Sequence, residues 1–347
     1  MPNARSSHLT RRGILAAGGA LGLGAVLAAC GDDEKSGDSA EGTAAKKSGP
    51  WSFKDDRGTT VKLDQVPTNI VAFTGVAAAL YDYGIQVKGV FGPTTTKDGK
   101  PDVQAGDMDV SKVTVLGNAW GQLNVEKYAA LAPQVLITTT FDDAGTLWSV
   151  PEDSKDKIAK LAPSVAVSVF DRQLTQPLER MWELAESLGA DMKADKAVQA
   201  KKAFQDAAAR LRKAAKARPE IKVLAGSASA ELFYVSGTNL SVDLEYFKAL
   251  GVNFVEPSEA AKKATGGWFE SLSWENVDKY PADVIIMDDR SSTIQPADIT
   301  EGTWKKLPAV KAGQVIARSP EPILSYDKCT PLLTNLAEAI ENAKKVS

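Results

Sequence analysis

Histidine is almost missing: His8 is the only one in 347 residues. Cysteine is scarce too, with Cys30 and Cys329 alone, and the longest uncharged apolar run covers just residues 14–29. Each shortage removes a class of function. Two cysteines give no disulfide framework. A run of 16 residues falls short of the roughly 20 that a membrane-spanning helix needs. If His8 is removed with an N-terminal leader, the chain can build neither a Ser-His-Asp nor a Cys-His catalytic unit. Imidazole-based zinc, manganese and iron sites are lost with it, as is histidine ligation of haem. Bare ferric iron held by tyrosinates and carboxylates stays open.

The leader is visible in the residues. Thr10-Arg11-Arg12-Gly13-Ile14-Leu15 is a twin-arginine pattern that runs into the apolar stretch, and Leu27-Ala28-Ala29-Cys30 closes it with small residues before a cysteine. Residues 1–29 are expected to be a lipoprotein-type signal peptide, with Cys30 carrying the lipid on the extracytoplasmic face of the cell membrane. The leader holds Arg5, Arg11 and Arg12 and no acid, so 38 of the 41 basic side chains remain against 44 acidic ones, a net charge of −6. That balance suits no nucleic acid. Residues 30–50, without a large apolar side chain after Cys30, read as a lipid-anchored flexible tether.

From residue 51 onward apolar strands alternate with helices, the pattern of parallel α/β layers. Strands are expected at 69–73, 87–91, 134–138 and 165–170, with helices at 76–83, 127–131 and 158–161. Leu-Ala-Pro occurs twice, at 131–133 and 161–163. Proline cannot continue a helix and biases its predecessor toward extended backbone, so each copy stops a helix and starts a strand. Residues 191–218 hold no glycine or proline and predict a helix roughly 40 Å long, with Phe204, Ala207, Ala208, Leu211 and Ala215 on one face. Strands follow at 222–225, 233–236, 252–255, 283–288 and 314–317. The expected fold is two α/β lobes, 51–190 and 219–347, joined by one spine helix at 191–218, with a ligand cleft between the lobes.

This order of pieces resembles the substrate-binding proteins of iron-siderophore and vitamin B12 ABC importers. The likeness rests on Val66-Pro67-Thr68-Asn69-Ile70-Val71 and on Leu123-Asn124-Val125-Glu126-Lys127 ahead of Leu131-Ala132-Pro133. In the second half it rests on Leu272-Ser273-Trp274-Glu275-Asn276-Val277 before Asp283-Val284-Ile285-Ile286, and on Trp304-Lys305-Lys306-Leu307-Pro308-Ala309-Val310 before Gln314-Val315-Ile316. The resemblance implies a non-enzymatic, monomeric, lipid-anchored protein that needs no cofactor and delivers a ferric siderophore to permease subunits. It also implies that Glu126 and Glu275, one turn into their helices, meet arginines on the transporter. A first-turn glutamate is favoured by the helix dipole in any protein, which is the alternative to the docking role for both.

In α/β layers ligands lie beyond the carboxyl ends of the strands. The side chains expected there are Trp120, Phe141, Trp148, Phe170, Arg172, Tyr234, Trp268 and Arg290, with Phe73 and Arg318 beside them. Rings cover the methylene stretches of a chelate, and guanidinium donates to its oxygens; no direct protein ligand to the metal is expected. Asp142-Asp143, Asp171 and Asp288-Asp289 among these positions leave a near-neutral or slightly acidic mouth, which favours a hydroxamate complex over an anionic catecholate. Two other readings remain in view: a corrinoid or haem binder of the same importer type, and an exported carboxylate hydrolase built on Glu270 with Asp288-Asp289. Neighbouring residues on a strand face opposite ways, so the two aspartates make a poor dyad. A purely adhesive surface lipoprotein would have no cleft at all.

Overall fold

Trp51 and Phe53 face inward while Ser52 and Lys54 face solvent, the period-two alternation that makes β1 (Trp51–Lys54) one arm of an antiparallel hairpin with β2 (Thr60–Leu63). The hairpin is absent from the sequence expectation. Its turn is organised by Asp55, whose carboxylate accepts from the N–H groups of Arg57, Thr59 and Ala166. This computed structural model describes residues 49–347. The signal-peptide reading, Cys30 and all but the last two residues of the expected tether lie outside the described residues.

The first lobe is a five-stranded parallel sheet of β3 (Ile70–Phe73), β4 (Gly89–Phe91), β5 (Thr114–Gly117), β6 (Val135–Thr140) and β7 (Ser164–Ser168), in the order β5-β4-β3-β6-β7. All of β3 and β6 is buried, as expected of central parallel strands covered on both faces. The covering helices are α1 (Thr74–Asp82), α2 (Val125–Ala130), α3 (Lys155–Leu161) and α4 (Thr175–Ser187). The two Leu-Ala-Pro stops fall where the prolines require, at the ends of α2 and α3.

Helix α5 (Asp195–Ala217) follows. At 23 residues it is about 35 Å long, shorter than the expected 191–218 because the Asp191 carboxylate accepts from the Lys193 N–H and holds a turn there. Its buried face is Phe204, Ala207, Ala208, Leu211, Ala214 and Ala215. The alanines let a second helix lie close.

The second lobe contains β8 (Val223–Ala228), β9 (Leu232–Ser236), β10 (Phe269–Ser273), β11 (Val284–Asp288) and β12 (Val315–Arg318), ordered β10-β9-β8-β11-β12. Strands β8, β11 and β12 are parallel, whereas β9 and β10 run antiparallel to their neighbours. Residues 252–255 are not a strand as expected. They make a single bridge, Phe254 to Val223, because β9 occupies that side of β8 from Gly226 onward. The helices are α6 (Val242–Ala249), α7 (Glu259–Lys262), α8 (Gly302–Lys306), α9 (Pro308–Lys311) and α10 (Tyr326–Asn342).

Helix α10 buries Leu333, Leu336, Ala337 and Ile340 and packs along α5. Arg210 grips Glu341 through Nε and Nη2 at 3.1 and 2.6 Å, and Arg218 donates to the carbonyls of Glu341 and Ala343 at the end of α10. At its other end α10 reaches the first lobe: Ser325 donates to Asp82, and Tyr326 donates to Glu179 and packs on Trp182. The lobes are thus linked by two helices lying against each other. No helix among the described residues is long and apolar enough to cross a membrane.

Candidate functional site

Beyond the carboxyl ends of both sheets lies a partly open cavity. From the first lobe it is lined by Phe73 at the end of β3, by Gln104 and by Phe141 just after β6; from the second it is lined by Leu240, Trp268 and Glu321. The lining is mostly apolar. Phe141 is the pivot of its aromatic wall, with ring centroids 4.5 Å from Trp148 and 6.4 Å across the cleft from Trp268.

Local hydrogen bonds fix the rings. The Trp148 N–H donates to the Thr139 carbonyl and its own carbonyl accepts from the Thr138 hydroxyl, so the loop after β6 folds back on the strand. Ser149, with φ of 61° in the left-handed region, accepts from the Gly121 N–H and joins this loop to the one carrying Trp120. Asn118 fixes that second loop by accepting from the N–H groups of Thr94 and Thr95 and donating to the Thr95 carbonyl.

Glu321, 9% exposed, gathers these parts. Oε2 accepts from Trp148 Nε1 at 3.1 Å and from Trp120 Nε1 at 3.3 Å, while Oε1 accepts from Arg290 Nη1 at 2.5 Å. Asp288, almost fully buried, takes the other edge of Arg290, with Nε at 3.0 Å and Nη2 at 2.7 Å. The guanidinium carbon is 5.8 Å from the Trp120 ring centre. Burial works against the charge of Arg290, but Asp288 and Glu321 outweigh it and raise its pKa above the usual arginine value. Next to it, burial lifts the Asp289 carboxyl above the ordinary carboxylate range despite a 2.7 Å hydrogen bond from Ser319.

Gln104 is nearly fully buried in the cavity wall. Its Nε2 donates to the Glu321 carbonyl at 3.3 Å, and its Oε1 has no protein partner. An unpaired buried amide oxygen is uncommon in a folded protein; here it lies against Gly75, which also lines the cavity.

Of the residues singled out in the sequence, Phe141 and Trp268 line the cavity, and Trp120, Trp148 and Arg290 join it through Glu321. Phe170, Arg172 and Tyr234 do not line it. Tyr234 packs edge-on to Phe269 and shares a hydrogen bond with Ser229. Arg318, expected beside the cleft side chains, is an internal strut instead: it forms a buried two-point pair with Asp243 at the start of α6, at 2.7 and 2.9 Å. The carboxylates of the hydrolase reading are dispersed among separate partners. Glu270 is held by Lys279 and Tyr280, Asp288 by Arg290 and Asp289 by Ser319.

Glu126 and Glu275 are both exposed. Glu126 lies in the first turn of α2, capped by Asn124. Glu275 belongs to a 3-10 segment, Trp274–Lys279, and not to the expected α-helix. Hydrogen bonding from its own N–H and from Ser273 lowers its pKa.

The profile of the periplasmic binding protein family matches residues 70–322, which span both sheets and the cavity between them. The chain belongs to this family. DesE, described as a ferric-siderophore receptor protein from Streptomyces coelicolor, is 89% identical to it with a TM-score of 0.85, over 86% of this chain and 100% of that one. Two more distant structures share the fold. The siderophore periplasmic binding protein from the fuscachelin gene cluster of Thermobifida fusca has 22% identity and a TM-score of 0.55, covering 79% of this chain and 96% of that one. Staphylococcus aureus SirA, solved with staphyloferrin B, has 19% identity and a TM-score of 0.57, covering 85% and 99%. No curated protein matches the chain.

Within this binding protein the sequence reading missed Glu321 and Gln104 as cleft residues. Glu321 has a faint signal, Ser319-Pro320-Glu321-Pro322 directly after the last strand: a lone carboxylate between two rigid residues, beyond a carboxyl edge.

Proposed function

We propose that this protein binds a ferric siderophore in the interlobe cavity and hands it to an ABC importer. The observation that carries the reading is the 89% identity to a ferric-siderophore receptor along that structure's full length. The cleft supports it. Phe73, Phe141 and Trp268 suit the methylene stretches of a chelate, and a desolvated cation–π or charge-assisted contact contributes about 2 kcal/mol. A few of these with apolar burial reach the roughly −8 kcal/mol of a micromolar binder. One guanidinium facing Asp288 and Glu321 favours a hydroxamate complex, which is uncharged at its iron centre. Siderophore uptake takes place outside the cytoplasm, in keeping with a chain exported under its twin-arginine leader and anchored through Cys30. Exposed Glu126 and Glu275, one on each lobe, are the docking points for the permease. As an exposed pair contributes only about 0–1 kcal/mol, they orient docking more than they drive it.

Tryptophan fluorescence titrated with ferric trihydroxamate, the iron-free chelator, a corrinoid and haem tests the ligand. Quenching that saturates at micromolar or lower ferric trihydroxamate, and much less with the others, is expected; saturation by a macrocycle alone would replace the siderophore with a corrinoid or haem. In cells, Glu126→Ala with Glu275→Ala abolishes uptake of radiolabelled iron from the chelate while the purified variant keeps its affinity. Normal uptake by the double variant removes the docking assignment.

A further inference from the structure

We propose that Glu321 sets the charge class of chelate this cleft accepts. Its carboxylate occupies the arm of Arg290 that would otherwise grip an anionic ligand, biasing the site toward uncharged or cationic ferric complexes. The inference rests on the ferric-chelate reading above and adds a residue that decides specificity within it.

A guanidinium offers its N–H groups along two edges, each able to hold a carboxylate or a chelate oxygen pair. On Arg290 the Nε–Nη2 edge belongs to Asp288 and Nη1 belongs to Glu321. The one arginine of the cluster therefore presents no edge that is wholly free, and two carboxylates stand against one cation. Glu321 is also well held in place. Pro320 and Pro322 restrict its backbone, Gln104 holds its carbonyl, and two indoles from the opposite lobe donate to the same oxygen. Those indoles offer donors to an acceptor and carry no charge, so the negative charge of Glu321 is balanced by Arg290 alone. Neutralising residue 321 frees one arm of Arg290 and removes one negative charge from a partly desolvated site, where charge interactions are several times stronger than in water.

The test uses two ferric complexes on one tripodal scaffold, one with hydroxamate arms (uncharged) and one with catecholate arms (trianionic), each measured by equilibrium dialysis of its colour with the folded protein. The quantity read is the ratio of the two affinities, which an overall loosening of the cleft leaves unaltered. Wild type is expected to prefer the uncharged complex. In Glu321→Gln that preference falls about tenfold or more, and Glu321→Met, a second neutral replacement, gives the same direction should the first fold poorly. Adding Arg290→Gln to Glu321→Gln restores the preference, because the freed guanidinium is then gone. A ratio that stays at the wild-type value in both neutral variants overturns the proposal, as does a shift that survives the loss of Arg290. If wild-type protein retains neither complex, the siderophore reading itself falls, and this one with it.

Discussion

Two arginines near the carboxyl ends of neighbouring strands show how burial divides roles. Arg290 sits at the cleft, about a quarter exposed at its side chain, whereas Arg318 is 5% exposed at its side chain and sealed against Asp243. Replacing one member of a sealed pair leaves the other charge without a partner in a poorly polarisable interior, which costs about 3–5 kcal/mol. Arg318→Met should therefore lower the urea-unfolding free energy by that amount, and Arg318→Met with Asp243→Leu should recover most of it. A loss equal to that of an ordinary surface change would mean that the pair is solvated. Phe141 was legible in sequence as a ring directly after a buried strand, but the same reasoning applied to Phe170 beyond β7 named a residue that does not line the cavity. Glu321 was not legible, since its significance lies in partners 201 and 173 positions away, Trp120 and Trp148, and no local pattern encodes such distances. Arg318 misled for the same reason: its partner lies 75 positions back along the chain, not beside it.

Among the elements, the second sheet is stitched at its base by Asp283, just before β11. Its carboxylate accepts from the N–H groups of Lys222, Val346 and Ser347 and from Lys345 Nζ, at 2.7 to 3.0 Å. Burial alone would raise its pKa, but these donors outweigh burial and carry it below the ordinary carboxylate range. A depressed folded-state pKa means that the stabilisation is complete above the unfolded value of about 4 and is lost as pH falls below it. Asp283→Asn should cost about 3 kcal/mol at pH 7, with the gap to wild type closing as urea titrations move from about pH 4 toward pH 2. A gap constant across that range would show that the side chain acts by packing alone. Continuous apolar strands such as β6 were legible in the sequence, as were helices stopped by proline. The short strands β1, β2, β5 and β10 were not. Their polar and apolar residues mix within four or five positions, and only pairing with a neighbour defines them.

At the scale of the whole molecule, the lobes meet through α5 and α10 and through Trp120, Trp148 and Gln104 reaching Glu321 across the cleft. Two packed helices resist the bending that a pair of flexible strands would allow. Small-angle scattering with saturating ferric trihydroxamate should therefore show a radius of gyration altered by less than about 1 Å. A contraction of several ångströms would instead indicate large-scale closure.

Helix α10 also reaches back to the first lobe, where Tyr326 sits against Trp182 and Phe204 and Ser325 holds Asp82. Residues made late thus supply part of the wall for residues made much earlier. A chain stopped short of residue 326 would leave Trp182 and Phe204 open to proteases, so incomplete products should be cleared quickly instead of persisting half-folded.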